Sequence, residues 1–193
     1  MSFVEWAVNH VDDDKRSTRF KRINDEKHEY ELWERDENVN MSIVITGLPN
    51  NFVIIDPEGV GQWNWFKELG KWTARCDFLI VGNSNEIPFA LFIELKKDMG
   101  PNNLKRAQNQ LRWSRSLLHY ALSIHNIFKS SATQESDLIV KYLMVGQNPD
   151  ARLALLPTAI DEAINSYSCI HKGISINYSI ADKFTLAQLL DLD

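Results

Sequence analysis

The sequence predicts a three-layer α/β fold in which a mixed central sheet is flanked by helices. Trp72–Val81 (WTARCDFLIV) and Pro88–Lys96 (PFALFIELK) are long apolar runs separated by the polar cluster Gly82-Asn83-Ser84-Asn85-Glu86, the pattern of two adjacent central strands. After Pro101, a residue suited to the first position of a helix, Leu104, Ala107, Leu111, Leu118, Ala121 and Leu122 recur at helical spacing from Asn102 to Phe128. A third apolar run, Leu138–Val145 (LIVKYLMV), is closed by Gly146-Gln147-Asn148-Pro149 and reads as another buried strand. Strands, a long helix and a further strand describe helices packed on a sheet.

The remaining elements follow in chain order. Ser2 and Glu5 have the S-x-x-E spacing of a capping box, which predicts a short helix through Phe3, Trp6 and Ala7. Ser17–Glu37 is charged and aromatic with mixed periodicity, and reads as mostly helical, with a strand at Glu29–Trp33 as the competing reading. Met41–Thr46 and Phe52–Asp56 are β-branched strands either side of Gly47-Leu48-Pro49-Asn50-Asn51, which suggests a hairpin. Pro157–Tyr167 and Ile180–Leu190 read as short helices, and Ile170–Tyr178 alternates like a late strand. With 193 residues, one domain is expected, with a core over 41–145, a helical extension over 1–40 and an α/β embellishment over 146–193.

Composition narrows the function classes. The 44% hydrophobic and 24% charged residues are those of a globular chain with a sizeable core. Cys76 and Cys169 make no CxxC pair, so neither a disulfide scaffold nor a zinc module is favoured, and a reducing setting is the simplest reading. The longest apolar stretch, Ile87–Ile93, falls far short of the roughly 20 residues that span a bilayer, and the first residues lack the pattern of a signal peptide. A cytoplasmic protein without a membrane partner is therefore expected. The formal charge of −5 argues against bulk attraction to nucleic acid. It hides an island, because residues 96–115 carry six Lys/Arg against one Asp.

The chemistry gathers beside that island. In Ala90-Leu91-Phe92-Ile93-Glu94-Leu95-Lys96 the strand period of two puts Glu94 and Lys96 on one face with Ala90 and Phe92, while Leu91, Ile93 and Leu95 face the other layer. Asp77 interrupts the preceding apolar run, where a carboxylate needs a partner or a metal. If the two strands are neighbours, Asp77 and Glu94 can share a hard divalent cation such as Mg²⁺, with Mn²⁺ as the alternative, and Lys96 stands beside it. A metal that neutralises phosphate and lowers the pKa of water, with a cation alongside, is the equipment of phosphodiester hydrolysis.

Asp77…Glu94-Leu95-Lys96 resembles the PD-(D/E)xK nuclease superfamily, which includes restriction endonucleases and Holliday-junction resolvases, over roughly residues 60–145. Cys76 stands where the family name has Pro. The resemblance implies a restriction-endonuclease-like core in which Asp77 and Glu94 bind the metal, the Leu95 carbonyl joins them and Lys96 helps to activate the water. It also implies a helix Gln that supports the site. The pattern Ala107…Gln110-Leu111 favours Gln110, whereas the helical wheel favours Gln108, the choice preferred here. An additional upstream Glu, found in some members, has Glu34, Glu58 and Glu68 as candidates.

On the long helix, with Leu104 at zero and roughly 100° per residue, Arg115, Gln108, His119, Arg112 and Lys105 fall in one sector about 80° wide. Lys105, Arg112 and Arg115 are the candidate contacts to a phosphate backbone. The five His residues show no metal-binding spacing, and Trp63, Trp65 and Phe66 are more readily core aromatics than base-stacking platforms. Lys15, Arg16, Arg19, Lys21 and Arg22 follow Asp12-Asp13-Asp14 and read as a solvated arm. The expected function is a Mg²⁺-dependent DNA endonuclease acting on double-stranded DNA, in restriction, phage defence or recombination, as a homodimer or with a targeting partner. The rivals are a non-catalytic binding module for nucleic acid or protein, and an acidic regulator or inhibitor.

Overall fold

Alternation in the run Ile87–Lys96 gives the strand around which the protein is built. Ala90 and Phe92 point to one side and Leu91, Ile93 and Leu95 to the other, all of them buried. A computed structural model describes residues 1–35, 40–57, 75–97, 101–130, 132–146, 166–171, 174–179 and 181–192. The strands are β1 (Phe20–Asn24), β2 (Glu29–Arg35), β3 (Asn40–Thr46), β4 (Phe52–Ile55), β5 (Phe78–Ser84), β6 (Ile87–Lys96), β7 (Ile139–Gly146), β8 (Ser166–His171), β9 (Ile174–Ser179) and β10 (Lys183–Thr185). The helices are α1 (Phe3–His10), α2 (Pro101–Lys129) and α3 (Leu186–Leu190).

Two mixed sheets result, of order β1-β2-β3-β10 and β4-β5-β6-β7-β9-β8. In the larger, β4, β5 and β6 run antiparallel, β6, β7 and β9 parallel, and β8 returns antiparallel. One face of it packs on α1 and α2 through Leu79, Phe92, Leu104, Leu111, Tyr142 and Met144. The other face packs on Tyr30, Leu32, Ile43 and Ile45 of the smaller sheet and on α3. Three layers are present as expected. They are ordered helices, sheet and second sheet: α1 and α2 cover one face of the central sheet, and the four-stranded sheet with the short α3 covers the other, where helices alone were expected.

The N-terminal region departs from the helical reading. Residues 20–35 form an antiparallel hairpin, β1 with β2, and residues of 1–35 enter both outer layers. Tyr30 and Leu32, two apart, are buried against the larger sheet, and this burial outweighs the helical propensity of the Glu, Lys and Arg around them. The predicted β3–β4 hairpin does not form either. β3 pairs with β2 and β10, β4 pairs with β5, and Gly47, at φ 82°, turns the chain from one sheet to the other with Leu48 buried at the crossing.

Other boundaries shift locally. The capping box of α1 forms, with Glu5 N donating to Ser2 Oγ and Ser2 N donating to Glu5 Oε2. β5 begins at Phe78 and runs to Ser84, and its turn narrows to Asn85 and Glu86, both at positive φ. The late strand is two strands, β8 and β9, and Ile180–Leu190 divides into β10, parallel to β3, and the short α3, whose N-terminus Thr185 and Gln188 cap. The expected helix over 157–167 lies outside the described residues except at Ser166 and Tyr167, which open β8. Among the described residues, no helix is long and apolar enough to cross a membrane.

Candidate metal-dependent active site

The β5–β6 ladder ends at Phe78↔Ile93. One step further in the same register Asp77 stands opposite Glu94, on the face that Leu79, Val81, Ala90 and Phe92 turn towards α2. Directly opposed positions in an antiparallel pair bring Cβ atoms to about 5 Å, and like charges there are unfavourable without a cation between or beside them. Lys96 is the cation in place, its ammonium paired with the fully buried Glu94 carboxylate. Burial acts to lower the pKa of Lys96, but the Glu94 and Asp77 carboxylates outweigh it and hold the ammonium above its ordinary range. Lys96 is therefore a charged donor, 21% exposed at the rim of a buried carboxylate pair.

The next ladder step is replaced altogether. In this register Leu95 would exchange two hydrogen bonds with Cys76. Instead Leu95 N donates to Asp77 Oδ2 at 2.6 Å and Cys76 N donates to Ser114 Oγ of α2 at 2.8 Å. Cys76 N, the donor that this register would offer the Leu95 carbonyl, is thus turned to α2. Two carboxylates and the Leu95 carbonyl would make a set of hard oxygen donors suited to Mg²⁺ or Mn²⁺, which take few ligands from protein and complete an octahedron with water or substrate. Among the described residues no three His, Cys, Asp or Glu side chains converge. Burial pushes the Cys76 thiol well up, which keeps this neighbour a neutral, apolar wall.

The structure separates the two glutamines. Gln108 does not join the carboxylates, contrary to the helical-wheel preference. Its Nε2 donates to Tyr178 Oη at 2.7 Å, in the sheet row Glu94–Met144–Tyr178 and two strands from Glu94. Gln110 is buried, and its Nε2 donates to the Arg75 carbonyl at 2.8 Å, two residues before Asp77. The wheel favoured Gln108 because it faces the basic sector, but the residue that touches the Asp77 segment lies on the face turned to the sheet.

Of the helix cations, Lys105 and Arg112 are exposed. Arg115 forks Glu135, with Nε and Nη2 at 3.0 and 2.8 Å, and His119 meets the same carboxylate, so Arg115 is tied to the segment before β7. Among the upstream glutamates, Glu34 on β2 pairs with Arg19, and Glu58 and Glu68 lie outside the described residues, as do Trp63, Trp65 and Phe66. Sequence reasoning missed Arg19 and Ser114, which bond to backbone 58 and 38 residues away and carry no local signal. Compared with protein-family models, curated proteins and solved structures, the chain matches none.

Proposed function

We propose that the protein is a metal-dependent endonuclease of PD-(D/E)xK type, its six-stranded sheet and α2 serving as a restriction-endonuclease-like core. The observation that carries this reading is the corner at the end of the β5–β6 ladder. Asp77 and Glu94 oppose each other when the register is carried one step past Phe78↔Ile93, Cys76 N turns to Ser114 Oγ while Leu95 N turns to Asp77 Oδ2, and Lys96 lies two residues beyond Glu94.

Asp77, Glu94 and the Leu95 carbonyl would hold Mg²⁺ or Mn²⁺, which supplies charge neutralisation at the scissile phosphate and a more acidic water. Lys96, as an ammonium, donates hydrogen bonds that orient the attacking water and steadies the charge that develops on phosphate oxygen. Glu94 in turn fixes Lys96 by their ion pair. The basic island over 96–115, with Lys105 and Arg112 exposed on α2, supports double-stranded DNA as substrate and a binding strength that falls with salt. A protein of net charge −5 gains little from nonspecific attraction, which favours a homodimer or a targeting partner.

Incubation of the purified protein with supercoiled and linear DNA in Mg²⁺ or Mn²⁺ tests this. Nicked or linear product that EDTA abolishes is the expected outcome. Binding of DNA without cleavage under either metal would support a non-catalytic binding module, and absence of both binding and cleavage would support an acidic regulator.

A further inference from the structure

Residues 75–77 present Asp77 yet precede the first residue of β5, so the sheet ladder does not hold them. Side chains do so instead, one for each residue in turn. Gln110 Nε2 donates to the Arg75 carbonyl, Ser114 Oγ accepts from Cys76 N, and Arg19 Nη2 donates to the Asp77 carbonyl, each at 2.8 Å. The first two come from α2, on the face that carries Asp77 and Glu94. Arg19 comes from the opposite side, where its guanidinium lies over the Phe78 ring at 4.8 Å from the centroid.

Arg19 is itself fixed at both ends. Its backbone carbonyl accepts from Trp33 N of β2, and its amide donates to Ser17 Oγ, while Ser17 N donates to the Ile54 carbonyl of β4. Its guanidinium pairs with Glu34 of β2 and stands 3.4 Å from Asp56 Oδ2, just after β4. Only 20% of the side chain is exposed. One planar cation therefore joins the smaller sheet, the end of β4 and the backbone of the Asp77 residue. A guanidinium can meet several acceptors lying in different directions, which a lysine ammonium on a flexible stem does less well.

We propose that Arg19 is a positioning residue for Asp77, clamping its backbone from the side of the second sheet so that the carboxylate stays opposite Glu94 and in reach of Leu95 N. The inference rests on the metal-dependent reading for its consequence in catalysis, but the positioning itself is measurable without activity. The Leu95 amide reports on it, because this proton is hydrogen-bonded to Asp77 Oδ2.

The test compares wild type, Arg19→Lys and Arg19→Gln, with the variant Arg19→Gln, Glu34→Gln, Asp56→Asn added because it leaves neither carboxylate half-buried without the guanidinium that neutralises it. Leu95 amide exchange is followed by NMR, with Asp77→Ala as the reference for a broken bond, and Mn²⁺ half-saturation by titration. In the glutamine variants the Leu95 amide is expected to exchange faster than in wild type, towards the rate seen in Asp77→Ala. Half-saturation is expected to rise roughly 10- to 100-fold, the usual effect of removing a group that orients a metal ligand, with Arg19→Lys intermediate. Unchanged Leu95 exchange and unchanged half-saturation in the folded variants would overturn the proposal. If the Leu95 amide responds to Arg19 but wild type neither binds Mn²⁺ nor cleaves DNA, the positioning stands and the endonuclease reading fails.

Discussion

Lys96→Ala is expected to slow Mg²⁺-dependent DNA cleavage by about 10²- to 10⁴-fold, the usual contribution of a positioned group that donates to or orients a reacting water. The side chain is removed from the rim of the site while the strand register of β6, set by β5 and β7, is untouched. Lys96→Arg keeps the charge but not the shape, and only partial recovery is expected from it. Single-turnover cleavage on a defined duplex, with circular dichroism to establish that the variant is folded, makes the comparison. Cleavage at the wild-type rate in Lys96→Ala would remove Lys96 from the mechanism.

Phe92→Ala is expected to cost about 3–5 kcal/mol of stability, the range for truncating a buried aromatic. Phe92 is fully buried on the same face of β6 as Glu94 and stacks on Tyr142 of β7, with centroids 5.0 Å apart and planes at 9°. The loss combines transfer of the ring, the cavity left between the sheet and α2, and the stacked pair itself. For a chain of this length it corresponds to a fall in melting temperature of about 10 °C. Thermal unfolding followed by circular dichroism measures it, and a fall below a few degrees would mean that the α2-facing layer repacks around the vacancy. Because Phe92 lies two residues before Glu94, the same variant is expected to weaken metal binding as well.

The parts of this fold that were legible in the sequence are those set by local periodicity. The alternation in β6 placed Glu94 and Lys96 on the face of Ala90 and Phe92, and the helical spacing after Pro101 gave α2. The capping box at Ser2 and Glu5 gave α1. What the sequence concealed depends on contacts between distant segments. Tyr30 and Leu32 become strand residues because a second sheet buries them, which no window around Ser17–Glu37 reveals. Met41–Thr46 and Phe52–Asp56 have the composition of a hairpin, but Leu48 anchors between the sheets and sends them to different ones.

The candidate site divides along the same line. Asp77 and Glu94 were readable as acids at the ends of two neighbouring apolar runs, and the register carried one step past Phe78↔Ile93 sets them opposite each other. Their supports were not readable. Arg19 looked like part of a solvated basic arm, because the Asp77 carbonyl, Glu34 and Asp56 that absorb its charge are remote in sequence. Arg115 looked available to phosphate because Glu135, twenty residues on, is invisible to a helical wheel.

The most direct measurement is a Mn²⁺ titration of the wild-type protein by electron paramagnetic resonance, repeated on Asp77→Asn and Glu94→Gln, with amide spectra establishing that each is folded. The expected result is a saturable Mn²⁺ site in wild type that Mg²⁺ displaces and that either substitution abolishes. Mn²⁺ binding that is unaltered in both folded variants, or no binding by folded wild type even with DNA present, would contradict a metal centre at Asp77, Glu94 and Leu95.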